Sequence, residues 1–242
     1  MKKLALFTVS CLLITSLFAQ ENPKPEKKKE SINLANRAND HFMVQLGYTD
    51  WAGKTDSMNT GGLSKSINVY FMFDFPFKSN PKLSIALGAG VGSDGIKFKE
   101  TYVGIKEISP TLQFRNVADT SHFKKVKLST AYAEAPIEFR YTARPMDSDR
   151  SFKWALGVKI GTMLDAHTRN KTFVSSAGTT INDYKMKEDS KKFFNTTRLV
   201  GTARIGWGHF SVFGTYQLTT LFKEGAGPDI RPYTIGLTIS GL

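Results

Sequence analysis

The stretch TAYAEAPIEFRYTARP, residues 130–145, decides the fold class of this chain. Every second residue from Ala131 to Tyr141 is apolar or aromatic, whereas the residues between them include Glu134, Glu138 and a proline. Alternation with a period of two is typical of a β-strand whose two faces meet different environments. The remaining question is which environment the charged face meets.

Seven further segments alternate in the same way. They lie at residues 41–48, 67–75, 83–92, 152–161, 198–207, 210–219 and 233–240. Alternation repeated over so many short segments, with no sustained helical period between them, predicts an all-β protein.

The connections between these segments differ in length in a regular way. The second and third, fourth and fifth, and sixth and seventh segments are joined by short turns. Longer connections cover residues 52–64, 94–124, 166–192 and 220–230. Short turns on one side and long loops on the other are typical of outer-membrane barrels.

Two features indicate which face looks inward. The polar face of residues 83–92 is made of small residues, including Gly88, Gly90 and Gly92, as the narrow interior of an eight-stranded barrel requires. Aromatic residues stand near the strand ends of the apolar faces, as in the girdles at membrane interfaces: Tyr48, Trp51, Phe73, Phe75, Tyr141, Phe152, Trp154, Trp207, Phe210 and Tyr233. We therefore predict an eight-stranded antiparallel up-and-down transmembrane β-barrel. A soluble, lipocalin-like barrel would reverse the two faces.

The beginning of the chain is typical of an exported protein. Residues 1–19 combine two lysines, an apolar run and a small residue at Ala19, and are predicted to be a signal peptide, with an uncleaved anchor helix as the alternative. Residues 20–39 are polar and rich in lysine, and are predicted to form a flexible periplasmic leader. Residues 40–242 are assigned to the barrel. The one cysteine, Cys11, lies in the signal peptide, so no disulfide framework is expected.

The formal net charge is +12. A basic exported protein is expected to meet anionic lipid, such as lipopolysaccharide, or an acidic polysaccharide. Nucleic acid is not an expected partner, because the chain is exported and lacks nucleic-acid-binding motifs.

Charged residues on the strands are predicted to point into the barrel. An Arg or Lys that faces lipid at the bilayer midplane costs ~2–4 kcal/mol. We predict a network of ion pairs in the lumen formed by Asp74, Glu134, Glu138, Arg140, Lys159, Asp165, Arg198 and Arg204. Such a network fills a narrow lumen, although a gate or an ion path is the alternative.

The expected register of the strands gives particular pairs. Turns centred near residues 146–147 and 181 set Glu134 beside Lys159, Lys159 opposite Arg204, and Asp165 opposite Arg198. A local irregularity is expected at Pro136, opposite Gly157, because proline removes a donor from the ladder.

No motif for a catalytic centre, a cofactor or a metal is recognisable. His167, with Ser175 and Ser176 in the same predicted loop, is the candidate for a lipid-modifying enzyme at the outer rim. A solvated loop histidine is the simpler interpretation, so the chain is not expected to be an enzyme.

The chain resembles the Bacteroidetes outer-membrane β-barrel proteins, which include the PorT-like group. The resemblance is carried by DHFMVQLGYTDW at 40–51, LSIALGAGVGSDGI at 83–96, YAEAPIEFRY at 132–141, RIGWGHFSVFGTYQLTTLF at 204–222 and GPDIRPYTIGLTIS at 227–240. The family implies an eight-stranded barrel in the outer membrane, and its PorT-like members are associated with type IX secretion. The final residue, Leu242, departs from the aromatic residue that is common at the end of such barrels.

The expected function is therefore that of a non-catalytic, monomeric barrel of the outer membrane with both termini in the periplasm. Its outward loops, above all residues 94–124, are expected to contact an envelope or secretion protein. A small channel is the first alternative, and the rim enzyme is the second.

Overall fold

The computed structural model describes residues 42–241, so the predicted signal peptide, the leader and Leu242 lie outside the described residues. Within this range, none of the helices has the length and apolar character needed to cross a membrane. The strands are β1 (Phe42–Ala52), β2 (Lys65–Pro76), β3 (Leu83–Phe98), β4 (Thr101–Val103), β5 (Phe114–Asn116), β6 (His122–Thr142), β7 (Phe152–Val174), β8 (Thr180–Asp189), β9 (Thr197–Trp207), β10 (Phe210–Gln217) and β11 (Arg231–Ser240).

Eight of these strands close into a ring. The hydrogen-bonded order is β6, β3, β2, β1, β11, β10, β9 and β7, and β7 pairs again with β6. Every pairing is antiparallel, and the first strand meets the last from Met43↔Ser240 to Ala52↔Arg231. The predicted eight-stranded antiparallel up-and-down barrel is confirmed.

The two faces of the ring are arranged as in a membrane barrel. On β2, Phe71 and Phe73 are half exposed, whereas Tyr70 and Met72, which alternate with them, are buried. The outward apolar side chains, called the lipid-facing belt below, are Leu46, Ile67, Phe71, Phe73, Val91, Ile137, Leu156, Ile160, Leu164, Ile205, Val212, Ile235 and Leu237. An apolar exterior around a polar interior reverses the pattern of a soluble barrel.

The two ends of the barrel differ. At the turn end, short connections join β2 to β3, β6 to β7 and β9 to β10, and the β6–β7 turn contains a 3-10 helix at Ser148–Arg150. At the loop end, β3, β6 and β7 have 16, 21 and 23 residues. Crossing a bilayer takes about 9–11 residues, so these strands continue beyond the belt. The parts of β3, β6 and β7 that lie beyond the belt at the loop end form a four-stranded extension together with β8. This extension is called the projecting sheet below and comprises residues 93–98, 122–131, 165–174 and 180–189.

The sequence predicted the projecting sheet only in part. The predicted continuation of the strands on either side of residues 94–124 is present, with the small β4–β5 hairpin between them. By contrast, β8 was not expected, because TINDYKMKED is almost entirely polar and exposed. It is held by its pairing with the upper part of β7, from His167↔Asp189 to Val174↔Thr180.

An apolar core closes the interior at the loop end. Trp51 lies at its centre, and its ring centroid is 5.4 Å from that of Phe98 and 6.0 Å from that of Phe222. The predicted place of Trp51 in an outer aromatic girdle was wrong, because Trp51 is only 4% exposed and lies inside the barrel. Its phase along β1 matches that of the buried residues Gln45 and Thr49, whereas Tyr48 points outward.

The predicted register was wrong by two residues between β6 and β7. Glu134 pairs with Gly161 rather than Lys159, and Pro136 pairs with Lys159 rather than Gly157. The register between β7 and β9 also differs, since Lys159 pairs with Val200 and Arg204 with Ala155. The connection from β7 to β9 is asymmetric, because β8 folds back on β7 before the chain reaches β9.

Two irregularities interrupt the ladders of β6. A register shift between Ala131 and Tyr132 places a bulge in β7 between Met163 and Asp165. The expected irregularity at Pro136 lies on the β3 side, where the paired residues skip from Leu87↔Ile137 to Gly90↔Glu134. The ladder toward β7 continues through Pro136, as expected if the missing donor faces β3.

Candidate functional site

The part of the lumen nearer the loop end holds a cluster of charges centred on Arg198 of β9. Its guanidinium donates to Glu134 of β6 at 2.9 Å and to Asp94 of β3 at 2.7 Å. The same group lies 3.7 Å from the centre of the Tyr132 ring. Arg198 therefore ties three strands together across the interior, with fork-like donors that suit two carboxylates.

Lys159 of β7 joins this cluster through neutral groups. Its ammonium donates to Gln45 Oε1 at 2.9 Å and to the Tyr70 hydroxyl at 3.0 Å. The Tyr70 hydroxyl donates in turn to Glu134. The predicted link between Lys159 and Glu134 is thus made through Tyr70, because the true register sets Glu134 across from Gly161.

A second cluster lies closer to the turn end. Glu138 accepts from Arg140 at 2.9 Å and from Arg204 at 3.0 Å. Arg140 also lies 3.8 Å from Asp74, which accepts from Ser84 at 2.6 Å. The expected neighbourhood of Asp74 and Arg140 is therefore present, and Arg204 pairs with Glu138 rather than standing opposite Lys159.

In each cluster, the named cations lie against carboxylates. Arg198 and Lys159 face Glu134 and Asp94, and in the second cluster two arginines face two carboxylates. Desolvated charges are tolerated when each has a partner and its hydrogen bonds are satisfied. The loss of a single member leaves an uncompensated charge and costs about 3–5 kcal/mol.

Glycines create the room for these long side chains. A Cβ at Gly92 would lie 2.8 Å from the Glu134 carboxylate and 3.1 Å from the Arg198 guanidinium. A Cβ at Gly161 would lie 3.1 Å from Glu134 Cγ and 3.2 Å from Arg198 Cγ. The small residues on the polar faces are therefore explained by the size of the charged residues beside them.

Little free space remains between the charges. A cavity beside Asp94, Glu134, Lys159 and Arg198 has a volume of about 20 Å³. That volume accommodates about one water molecule. The apolar core lies next to this cavity, on the side of the loop end.

Asp165 lies outside the network, contrary to prediction. The bulge in β7 turns Ala166 inward, where it is fully buried, and leaves the Asp165 side chain 44% exposed. Its place in the lumen is taken by Asp94, which the sequence analysis missed. Asp94 is the next alternate residue after Gly88, Gly90 and Gly92, which face inward. Extending the predicted strand by two residues therefore places Asp94 in the lumen.

The outer rim contains the predicted His167. Its Nδ1 lies 2.7 Å from Asp165, and Asp189 pairs with it across the β7–β8 ladder. These three residues place possible metal-ligand atoms within 4.8 Å of one another. They lie at the surface as an ion-paired group, which needs no metal to explain it.

The predicted partners of His167 are not beside it. Ser175 lies eight residues farther along the chain, just beyond the end of β7, which ends at Val174. The serine opposite His167 in the ladder is Ser129 of β6. In the described part of the chain, no hydrogen bond joins Ser129 to His167.

Comparisons with known proteins found matches to a family model and to solved structures. A family model described as "Outer membrane protein beta-barrel domain" matches residues 18–222. Two crystal structures of Ail, the attachment invasion locus protein of Yersinia pestis, are similar in fold at 14% sequence identity. One, in complex with the heparin analogue sucrose octasulfate, has a TM-score of 0.34 and is matched over 82% of this chain and 96% of that chain. The other has a TM-score of 0.31, with 82% and 95% covered.

A search of curated proteins found no match. The family model covers most of the sequence, and the ring of eight strands with its apolar exterior is the structure that this family description requires. The chain therefore belongs to the outer membrane protein beta-barrel domain family, and its place is the outer membrane.

Proposed function

We propose that this chain is a non-catalytic, monomeric outer-membrane barrel that presents its loop end outside the cell as a contact surface for other envelope components. The observation that carries the proposal is the filled lumen. Two clusters of paired charges and an apolar core occupy the interior, which supports a function at the outer surface rather than in the lumen.

The topology supports the proposed orientation. β1 begins and β11 ends at the turn end. Barrels of this kind keep short turns in the periplasm and long loops outside. Both termini are then periplasmic, with residues 1–19 as the signal peptide and residues 20–39 as the leader.

The loop between β3 and β6 is the best candidate for contact with a protein. The β4–β5 hairpin holds it, and Arg115 pairs with Glu107 at 2.7 Å across its surface. Ile108 is a fully exposed apolar side chain in this loop. An accessory role in type IX secretion, in a PorT-like protein of Bacteroidetes, is a finer proposal that rests on the sequence resemblance.

The channel alternative is tested by planar-bilayer recording of the refolded full-length protein. A filled lumen predicts no conductance steps, whereas a wet lumen would give steps of constant size. Steps that persist in the purified, heat-modifiable form of the barrel would overturn the proposal.

The rim-enzyme alternative has one supporting observation. On the outer face, the Asp165 carboxylate lies beside the His167 imidazole, and Ser129 lies opposite His167 in the ladder. These residues are an orienting carboxylate, a base and a hydroxyl. Phospholipid and lipid A turnover by the purified protein is expected to be absent. A turnover that both Ser129→Ala and His167→Ala abolish would establish the enzyme and contradict the non-catalytic proposal.

A further inference from the structure

The outer face of the projecting sheet carries two transverse rows of cations. In the first row Lys97 pairs with Lys127, Lys127 with Arg169, and Arg169 with Lys187. In the second row Lys125 pairs with Lys171, and Lys171 with Lys185. Together, these seven residues, here called the basic rows, place like charges directly opposite one another across four strands.

Most of these cations have no local counter-charge. Lys187 lies 2.8 Å from Asp189. Within residues 42–241, none of the other six forms an ion pair with a carboxylate. Two other acids lie nearby: Asp165 is engaged with His167, and Asp183 accepts from the Thr172 hydroxyl. Like charges that face one another across a ladder destabilise a sheet, so the arrangement lacks a structural explanation.

The basic rows lie on the same face as the lipid-facing belt. Val126 and Leu128 of β6 are buried against the apolar core, so Lys125 and Lys127, which alternate with them, point to the opposite side. Along β7, Leu164 of the belt precedes Arg169 by five residues, about 16 Å of strand. With a strand tilt of 35–45°, the first row stands ~12 Å above the last apolar side chain, beyond the hydrocarbon layer.

Lys127 leans from its row toward the belt. A Cβ at Gly95 would lie 2.2 Å from Lys127 Cε, so the lysine side chain lies across this glycine. Gly95 pairs with Ser129, one outward position nearer to the membrane than Lys127, and with Lys65 on its other side. The absent side chain at Gly95 thus allows the ammonium group to approach the lipid surface.

A groove runs along the rows. Its volume is about 510 Å³, and its lining includes Gly61, Lys97, Lys125, Lys127, Arg169 and Lys171. A space of this size is typical of sites for small molecules or headgroups. Its lining residues supply cations and no carboxylate.

We infer that the basic rows bind the phosphate groups of an anionic glycolipid in the surrounding outer leaflet. A lipid is favoured over a soluble acidic polysaccharide because the cations continue the face that contacts acyl chains, and because Lys127 leans toward that face. Phosphate charge in the groove offsets the repulsion between the rows. The inference rests on the proposed outward orientation of the loop end.

The test uses the refolded full-length protein in detergent and native mass spectrometry. The probes are diphosphorylated lipid A, its dephosphorylated form, and heparin as a soluble acidic polysaccharide. The row variant is Lys97→Gln/Lys127→Gln/Arg169→Gln. The matched control is Lys106→Gln/Lys192→Gln/Lys223→Gln, which removes the same charge from exposed cations of other loops. Heat-modifiable gel mobility verifies that each variant is folded.

The row variant is expected to bind diphosphorylated lipid A about 100-fold more weakly, at roughly fivefold per cation near an anionic surface. The control variant is expected to change affinity less than threefold. Dephosphorylated lipid A is expected to bind wild type and row variant alike.

Equal losses in the two variants, or wild-type affinity in the row variant, would overturn the inference. Heparin binding that depends on the rows, with lipid A binding that does not, would assign the surface to a soluble polysaccharide instead. Failure of the proposed orientation is detected separately, by labelling Ser176→Cys on intact cells with a membrane-impermeant maleimide. The absence of labelling there would leave the binding results intact but place the rows in the periplasm.

Discussion

Arg198 and Asp94 form an ion pair at 2.7 Å between strands that are not neighbours in the ring. The pair joins β9 to β3 across the lumen, and Glu134 of β6 completes it from a third strand. Side chains therefore brace the barrel internally, in addition to the backbone ladders that close it.

Loss of this brace is expected to destabilise the barrel strongly. Arg198→Met leaves Asp94 and Glu134 without their cation, at a cost of about 3–5 kcal/mol in unfolding free energy. Urea unfolding in detergent, followed by the gel shift of the folded form, measures the change. The matched control is Arg115→Met, which breaks a pair of the same 2.7 Å length at the surface. An exposed pair contributes about 0–1 kcal/mol, so equal losses would contradict the bracing role.

Substitution of Gly92 by alanine is expected to disturb the same cluster from the wall of the barrel. The new methyl group lies within 3 Å of the Glu134 and Asn68 oxygens, which cannot retreat from a filled lumen. Overpacking of this kind costs about 1–3 kcal/mol. Gly214→Ala is the control, because a Cβ there meets nothing within 4 Å. The prediction fails if the two variants unfold at the same urea concentration.

Lys127→Met is expected to stabilise the protein near neutral pH when no anion is bound. Burial lowers the pKa of Lys127 below its ordinary value, and the charges of Arg169, Lys97 and Lys65 lower it further. The unfolded chain therefore binds more protons than the folded one between the lowered pKa and the ordinary pKa. In that alkaline window the stability of the wild type rises with pH.

The variant removes this contribution. Relief of like-charge repulsion is worth roughly 0.5 kcal/mol, and the alkaline rise in stability is expected to flatten. Unfolding curves measured from neutral to alkaline pH distinguish the two proteins. A Lys127→Met variant that is less stable than the wild type at neutral pH, without added lipid, would show that the lysine has a stabilising partner.

Trp51→Ala is expected to weaken the loop end from within. The indole is packed among Phe98, Phe114 and Phe222, and its removal leaves a cavity that costs about 3–5 kcal/mol. Limited proteolysis of the loops and urea unfolding measure the loss. Trp207→Ala is the control, because Trp207 is 59% exposed on the outside at the turn end. A larger loss for Trp207 would mean that the apolar core does not hold the loops.

The eight barrel strands, their inward faces as far as the bulge in β7, and the presence of charged residues in the lumen are predictable from the sequence alone. These features follow from alternation along a short segment and from the cost of a charge in lipid, both of which are readable locally. Glu134, Glu138, Arg198 and Arg204 were placed inside for this reason.

The pairs that these residues form were decided by the tertiary structure. A single bulge in β7 reverses the phase of every residue beyond it, so Asp165 turned outward and Ala166 inward. The register between β7 and β9 was not predicted, because the prediction placed the turn at the middle of their connection. In the structure β8 folds back on β7 and makes this connection asymmetric. The basic rows depend on contacts between strands distant in sequence, whereas the inward position of Trp51 follows the alternation of β1. Alternation predicts the face of the strand on which a side chain lies, but the contacts of that side chain depend on the register of the closed sheet.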